Sequence, residues 1–225
     1  LTEFDLMLNA DQVLRGQGAD PEKIRARSPK LVQAAEEALE IGVTLLEPQV
    51  LYQEYPVEAV RHRQLHLSNG GVLQGELVVR HLAPADTVIV MLCTIGERLE
   101  KVAAEVASSN MIEGLALDGV GSAGVEALAN LVCHDFEIQA KQAGLQTTIP
   151  ISPGMVGWDI EEGQPQIFAL LDAQQVGVTL SPHSYMMMPR KSLTLVIGVG
   201  ANVQVGGSTC DYCTMRETCQ YREAA

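Results

Sequence analysis

Basic residues are scarce in this chain. Its 15 Lys and Arg stand against 28 Asp and Glu, a net charge of −13 over 225 residues. That balance argues against nucleic acid as a partner, because phosphates attract clustered Lys and Arg. No consecutive apolar run approaches the ~20 residues that cross a bilayer, so no membrane partner is expected. The opening Leu1-Thr2-Glu3-Phe4 lacks the basic flank of a secretion signal, and the expectation is a soluble, cytoplasmic protein. Cysteines number only five. An odd count with one close cluster fits a reducing compartment better than a disulfide framework.

What is present is enough apolar material, 47% of residues, to bury a substantial core in one domain. We expect that domain over residues 1–205 and a cysteine-rich tail over 206–225. Asn9 is placed to cap a helix over 10–15, ended by Gly16 and Gly18. Ser28-Pro29 starts a second helix, with Leu31, Val32, Ala35, Ala38 and Leu39 at helical spacing and Gly42 as its stop. Residues 61–67 alternate charged and apolar, and Asn69-Gly70 supplies a hairpin turn. On one strand His62 and His66 would share a face, where exposed histidines are commoner than ligands. The apolar run 87–92 predicts a buried central strand that delivers Cys93-Thr94-Ile95-Gly96, and 97–107 predicts a helix behind it.

Gly119-x-Gly121-x-x-Gly124 matches the dinucleotide fingerprint literally. The fingerprint has meaning only between a strand and a helix, with an acid ~20 residues further on. Residues 140–150 carry no acid, so these glycines are read as close-packing positions inside a long helix over about 112–143. Asp118 and Ser122 lie one helical turn apart and can face one pocket. A strand over 146–151 leads into Ser152-Pro153-Gly154, a helix covers 164–171, and a strand covers 193–199. Trp158, the single tryptophan, anchors the intervening loop. Strands alternating with helices but including a hairpin favour an α+β fold with a mixed or antiparallel sheet.

The tail holds Cys210-x2-Cys213-x5-Cys219, followed by Tyr221-Arg222, behind a Gly206-Gly207 hinge. A C-x2-C pair brings two thiolates from one turn to the same ion, and a third cysteine can close on it from the next turn. Three thiolates suit soft centres, an iron–sulfur cluster (4Fe-4S) or zinc. The spacing also allows a disulfide with one spare thiol. The motif lacks a fourth ligand, for which Cys93, Cys133, a nearby His, a partner or a water are open. Arg190, Lys191, Arg216 and Arg222 offset Asp211 and Glu217, making this end less acidic than the rest.

Several short motifs follow one another in a particular order: Ser152-Pro153-Gly154, Gly157-Trp158-Asp159, the helical 164–171, Gly177-Val178-Thr179-Leu180, Met188-Pro189-x-Lys191-Ser192 and Ile197-Gly198. With Thr94-Ile95-Gly96 and Asp118-x2-Gly121-Ser122 upstream, the order resembles the reactivation domain of cobalamin-dependent methionine synthase in its free-standing form, over roughly residues 10–200. The cysteine tail lies beyond the shared part.

The resemblance implies a domain that meets S-adenosylmethionine beside a corrinoid held on another module. There an electron reduces inert Co(II) and the sulfonium methyl group traps Co(I). It implies that Ser152, Pro153, Gly154, Met155, Gly157 and Trp158 line the S-adenosylmethionine pocket, with Tyr185 and Lys191 in the neighbouring loop. The family pattern has an Arg before the Pro-Gly and a Tyr after it, where this chain has Pro150 and Met155. Loss of that Arg removes a bidentate carboxylate partner that a lysine replaces poorly, which places S-adenosylmethionine binding in doubt. The leading expectation is reductive reactivation of a corrinoid protein or cobalamin-dependent methyltransferase through a cluster on Cys210, Cys213 and Cys219. The alternatives are a docking protein with a zinc-stapled tail and an S-adenosylmethionine-dependent methyltransferase.

Overall fold

A computed structural model describes residues 4–204, 206–217 and 219; Tyr221-Arg222 lies outside them. In chain order the elements are α1 (Ala10–Gly16), α2 (Pro21–Arg27), α3 (Pro29–Gly42), β1 (Gln49–Arg61), β2 (Gln64–Leu67), β3 (Val72–Gln74), α4 (Glu76–Leu82), β4 (Thr87–Thr94), α5 (Arg98–Ala107), α6 (Met111–Gln142), β5 (Gln146–Thr147), α7 (Ile160–Leu170), β6 (Thr179–Leu180), β7 (Met187–Met188) and β8 (Ser192–Gly200). Six strands form one sheet in the order β3-β2-β1-β4-β8-β5, with every pair antiparallel. This is the expected α+β class, with β6 and β7 as a separate small ribbon.

The centre of the sheet is β4, covered on both faces, which is why its sequence is an unbroken apolar run. Ile89, Met91 and Cys93 face one core with Leu117, Val120 and Leu128 of α6. Val88, Val90 and Leu92 face a second core with Trp158, Ile151 and Ile167. By length and composition α6 could cross a membrane. Here it is a core helix, packed against α1, α3, α5 and the sheet.

Asn9 caps α1 as expected, its Oδ1 accepting from Gln12 N–H at 3.1 Å, and Gln12 Oε1 accepts from Asn9 N–H at 2.9 Å to complete a capping box that was not anticipated. Asp20 caps a further helix, α2, that no expectation covered, by accepting from the Glu22 and Lys23 amides.

Three boundaries differ from expectation. Residues 61–67 are not one strand: the chain reverses at His62-Arg63, so that Arg61 pairs with Gln64. His62 takes the positive φ of 55°, a conformation in which His, like Asn and Asp, is enriched. His62 and His66 therefore share no strand face. The expected strand 146–151 pairs regularly over only two residues. Thr148 then accepts from Gly198 N–H through its hydroxyl at 2.9 Å, Pro150 has no donor, and pairing resumes as a single bridge from Ile151 to Val196. Helix α7 begins at Ile160, four residues before the expected start, and carries Pro165 within it.

Candidate functional site

Residues 152–158 form a tight loop between the sheet and α7. Met155 N–H donates to Ser152 O at 3.2 Å, Trp158 N–H to Met155 O at 3.0 Å, and Gly154 N–H to Trp158 O at 2.8 Å. Gly154 at φ 95° and Gly157 at φ 91° provide backbone that other residues rarely adopt. Gly157 O accepts from Leu77 N–H at 3.0 Å, which ties the loop to α4. Trp158 is fully buried, so its side chain anchors the loop and presents nothing to solvent. Its slot exists because two flanking residues lack side chains. A Cβ on Gly163 would stand 2.7 Å from Trp158 Nε1, and one on Gly75 would stand 3.0 Å from its Cδ1.

The cysteine tail folds back onto this loop. Val156 N–H donates to Tyr212 O at 2.9 Å. The Tyr212 ring meets His81 edge to face at 4.7 Å, with the Arg80 guanidinium 5.8 Å from its centroid. Gly206 and Gly207, both at positive φ, make the reversal, and a short turn over Thr209–Tyr212 is capped by Ser208. Cys210, Cys213 and Cys219 are half-buried free thiols.

This anchor responds to pH. Burial first, and then the charge of Arg80, hold the His81 imidazole below its ordinary range. Below that range the unfolded chain binds a proton that the folded chain refuses, so the stability from neutral His81 is present above the ordinary imidazole pKa and lost as pH falls. The urea midpoint is expected to fall between about pH 7.5 and about pH 5.5, and to fall less in His81→Gln. Equal falls in the two proteins would assign the effect to other groups.

Between tail, loop and helix lies a cleft of about 570 Å³. Helix α6 forms one wall with Glu126 and Cys133, the loop forms another with Ser152 and Met155, and Cys210 and Asp211 close it. Leu193 and Leu195 of β8 make its floor, at the stretch of strand that β5 leaves unpaired. Pro150 and Met155, the two positions that depart from the reactivation-domain pattern, both line it. Burial pushes the Cys133 thiol up to about 12, with the Glu126 charge adding to it. Cys93, wholly buried on β4, is likewise pushed up to about 12 by burial and then by Cys133. Left to themselves, both thiols stay protonated at neutral pH.

Lys191, immediately before β8, reaches α6 nearer its N-terminus, where its Nζ donates to Asp118 Oδ2 and to Ser122 Oγ, each at 2.9 Å. Asp118 and Ser122 thus do face one partner, as their spacing suggested. Beside them the Ser192 and Thr94 hydroxyls meet at 2.9 Å inside the core. Tyr185 stands in the β6–β7 loop at φ 55°, and lines neither the cleft nor the Lys191 cluster. The structure therefore brings Ser152, Met155 and Cys210 together and holds Tyr185 and Lys191 apart from them. Sequence reasoning missed Glu126 and Asn130 as site residues. The signal was the series Asp118, Ser122, Glu126, Asn130 at four-residue steps, one polar stripe across the apolar middle of α6.

By donor chemistry the cleft suits a soft centre, since thiols stand on the tail and on the facing helix wall. Among the described residues no three His, Cys, Asp or Glu side chains are gathered closely enough to hold a metal ion.

No family model matches this chain, and no curated protein matches it. Among solved structures, the MetH reactivation domain bound to AdoHcy matches with a TM-score of 0.61 over 82% of this chain and 69% of that chain, at 14% sequence identity. The chain therefore has the α+β fold of the MetH reactivation domain, the fold that the ordered motifs in its sequence led us to expect.

Proposed function

We propose that this protein docks on a corrinoid protein or cobalamin-dependent methyltransferase and reactivates it, passing one electron to Co(II) by way of a 4Fe-4S cluster on Cys210, Cys213 and Cys219. One observation supports this reading above others. The cysteine tail is folded against the 152–158 loop, so that Cys210 and the loop open on a single cleft in the fold of a domain solved with AdoHcy.

The chain's own residues supply position and environment. Tyr212 and Val156 fix the tail at the loop, and Leu193, Leu195 and Met155 keep one side of the cleft apolar, where charge interactions are less screened. When bound, a cluster supplies a one-electron couple. The electron comes from a low-potential protein donor, and Co(II) on the partner becomes Co(I). Pro150 and Met155 offer no charged group to a methionine carboxylate, so S-adenosylmethionine is at most a secondary ligand in this reading. The anchoring of the tail by Tyr212 also favours a second reading, in which zinc staples the tail and the protein acts by docking alone.

The test is to purify the protein without oxygen, record its visible spectrum before and after dithionite, and measure iron, sulfide and zinc on the same sample. We expect a reducible brown chromophore. Serine variants of the three tail cysteines are expected to lose it, and to reduce Co(II) corrinoid protein no faster than background. Serine variants that reduce cobalt at the parent rate sink the proposal. A colourless protein with one zinc supports the docking reading instead.

A further inference from the structure

We infer that the cleft between α6, the 152–158 loop and the tail binds a small primary alkylammonium, with its cationic head on Glu126 and its apolar stem along Leu193 and Leu195. The inference goes beyond the reading of the tail cysteines and needs no metal.

Charge selects the head. The carboxylates and cations in the lining of the cleft are Glu126, Asp211 and Arg216. Asp211 and Arg216 pair with each other at 3.3 Å, which leaves Glu126 as the uncompensated charge. Among the described residues no lysine or arginine pairs with Glu126. Asn130, one helical turn on, hydrogen-bonds it and steadies its charge. Glu126 is open to the cleft, yet the walls strip enough water from its carboxyl to raise it above its ordinary range. A cation bound there offsets that desolvation and holds the carboxylate ionised.

The rest of the lining selects what the head carries. Ser152 and Asn130 stand with Glu126 as acceptors, and a primary ammonium brings three N–H donors. No aromatic ring lines the cleft among the described residues, so a quaternary ammonium finds no cage. An amino acid is disfavoured too, because Arg216 is committed to Asp211 and Pro150 supplies no charge, so the ligand's carboxylate meets no free cation. A second cavity of about 410 Å³ shares Asn130, Cys133 and Thr209 with the cleft and carries Glu137, which Lys141 already holds. The ligand therefore needs one cationic end and not two. Leu193 and Leu195 lie on one face of β8, two residues apart, a span of roughly 7 Å that about five or six methylenes cover.

The experiment is isothermal titration calorimetry on the full chain near neutral pH in an amine-free buffer, with hexylamine as the probe. Hexanol has the same stem without charge, hexyltrimethylammonium has the charge without N–H donors, and norleucine adds a carboxylate beside the ammonium. Hexylamine is expected to bind saturably, and each of the three analogues at least about tenfold more weakly, the factor that a charge-assisted hydrogen bond contributes. Glu126→Gln keeps the shape of the side chain and is expected to melt with the parent and to weaken hexylamine by about tenfold or more. Nα-acetyl-lysine amide, standing in for a protein side chain, is expected to bind no more tightly than hexylamine.

The inference is overturned if hexylamine does not saturate, if hexanol or hexyltrimethylammonium binds as tightly, or if Glu126→Gln binds hexylamine like the parent. Tighter binding of Nα-acetyl-lysine amide overturns the assignment to a free amine and gives the cleft to a lysine of a partner protein. Cys210→Ser is expected to keep the parent's hexylamine affinity while losing the chromophore, so that failure of the tail reading and failure of this inference are read on separate measurements.

Discussion

Trp158→Ala lowers the unfolding free energy by about 3–5 kcal/mol, the cost of emptying a fully buried aromatic site, and at this chain length lowers the melting temperature by roughly 10 °C. Trp158 has no solvent exposure and fills a slot whose walls are backbone at Gly75 and Gly163, so little can collapse into the space it leaves. The consequence reaches the site. Trp158 N–H and O both close the 152–158 loop, and the neighbouring Val156 N–H holds Tyr212 of the tail. Loss of the anchor is therefore expected to loosen the tail as well as the core, which proteolysis between residues 204 and 219 would read. Trp158→Phe keeps much of the apolar contact and is expected to fall between parent and alanine. A melting temperature for Trp158→Ala within a few degrees of the parent would show that the loop is held by other contacts.

Gly119→Ala destabilises the protein by roughly 1–3 kcal/mol through overpacking, and leaves dinucleotide affinity at the undetectable level of the parent. A Cβ at Gly119 would stand 2.7 Å from the backbone oxygen of Val13 and 2.8 Å from Gln17 Cγ. The glutamine can swing away, but the carbonyl belongs to α1, so the whole helix has to shift. Gly119 is inside α6 rather than at a strand-to-helix turn, which removes the amide cradle that a pyrophosphate needs. The measurement is a thermal melt together with a nicotinamide–adenine dinucleotide titration. An unchanged melt would deny the packing role, and saturable dinucleotide binding by the parent would restore the fingerprint reading.

The local elements were legible because their causes are local. The Asn9 cap with Gln12 behind it, Pro29 at a helix start and the unbroken apolar run of β4 each act within a few residues. Where local causes competed, the reading failed. His62-Arg63 has none of the usual turn residues, yet it reverses the chain, because Val57, Ala59 and Val60 on β1 must register with the strand that carries Leu65 and Leu67. Residues 146–151 were read as one strand in spite of Pro150, whose missing N–H leaves only intermittent pairing with the edge of β8.

The candidate site divides along the same line. Its loop was legible, since Pro153, Gly154 and Gly157 announce a turn and a lone tryptophan beside them announces an anchor. The tail's three cysteines could be picked out by their spacing as candidate donors, which the proposed function takes up. That the loop and Cys210 open on one cleft with Cys133 of α6 was not legible, because α6 and the tail are distant in sequence and meet only after the sheet is built.

By itself the sequence determined the α+β class, the helix caps, the central strand and the close-packing use of the glycines, all set by residue chemistry and short-range periodicity. Only the tertiary structure decided which groups share a cleft, that Lys191 is committed to Asp118 and Ser122, and that Trp158 faces inward. Those adjacencies come from the summed burial of two cores on either face of β4, and no local window contains that sum.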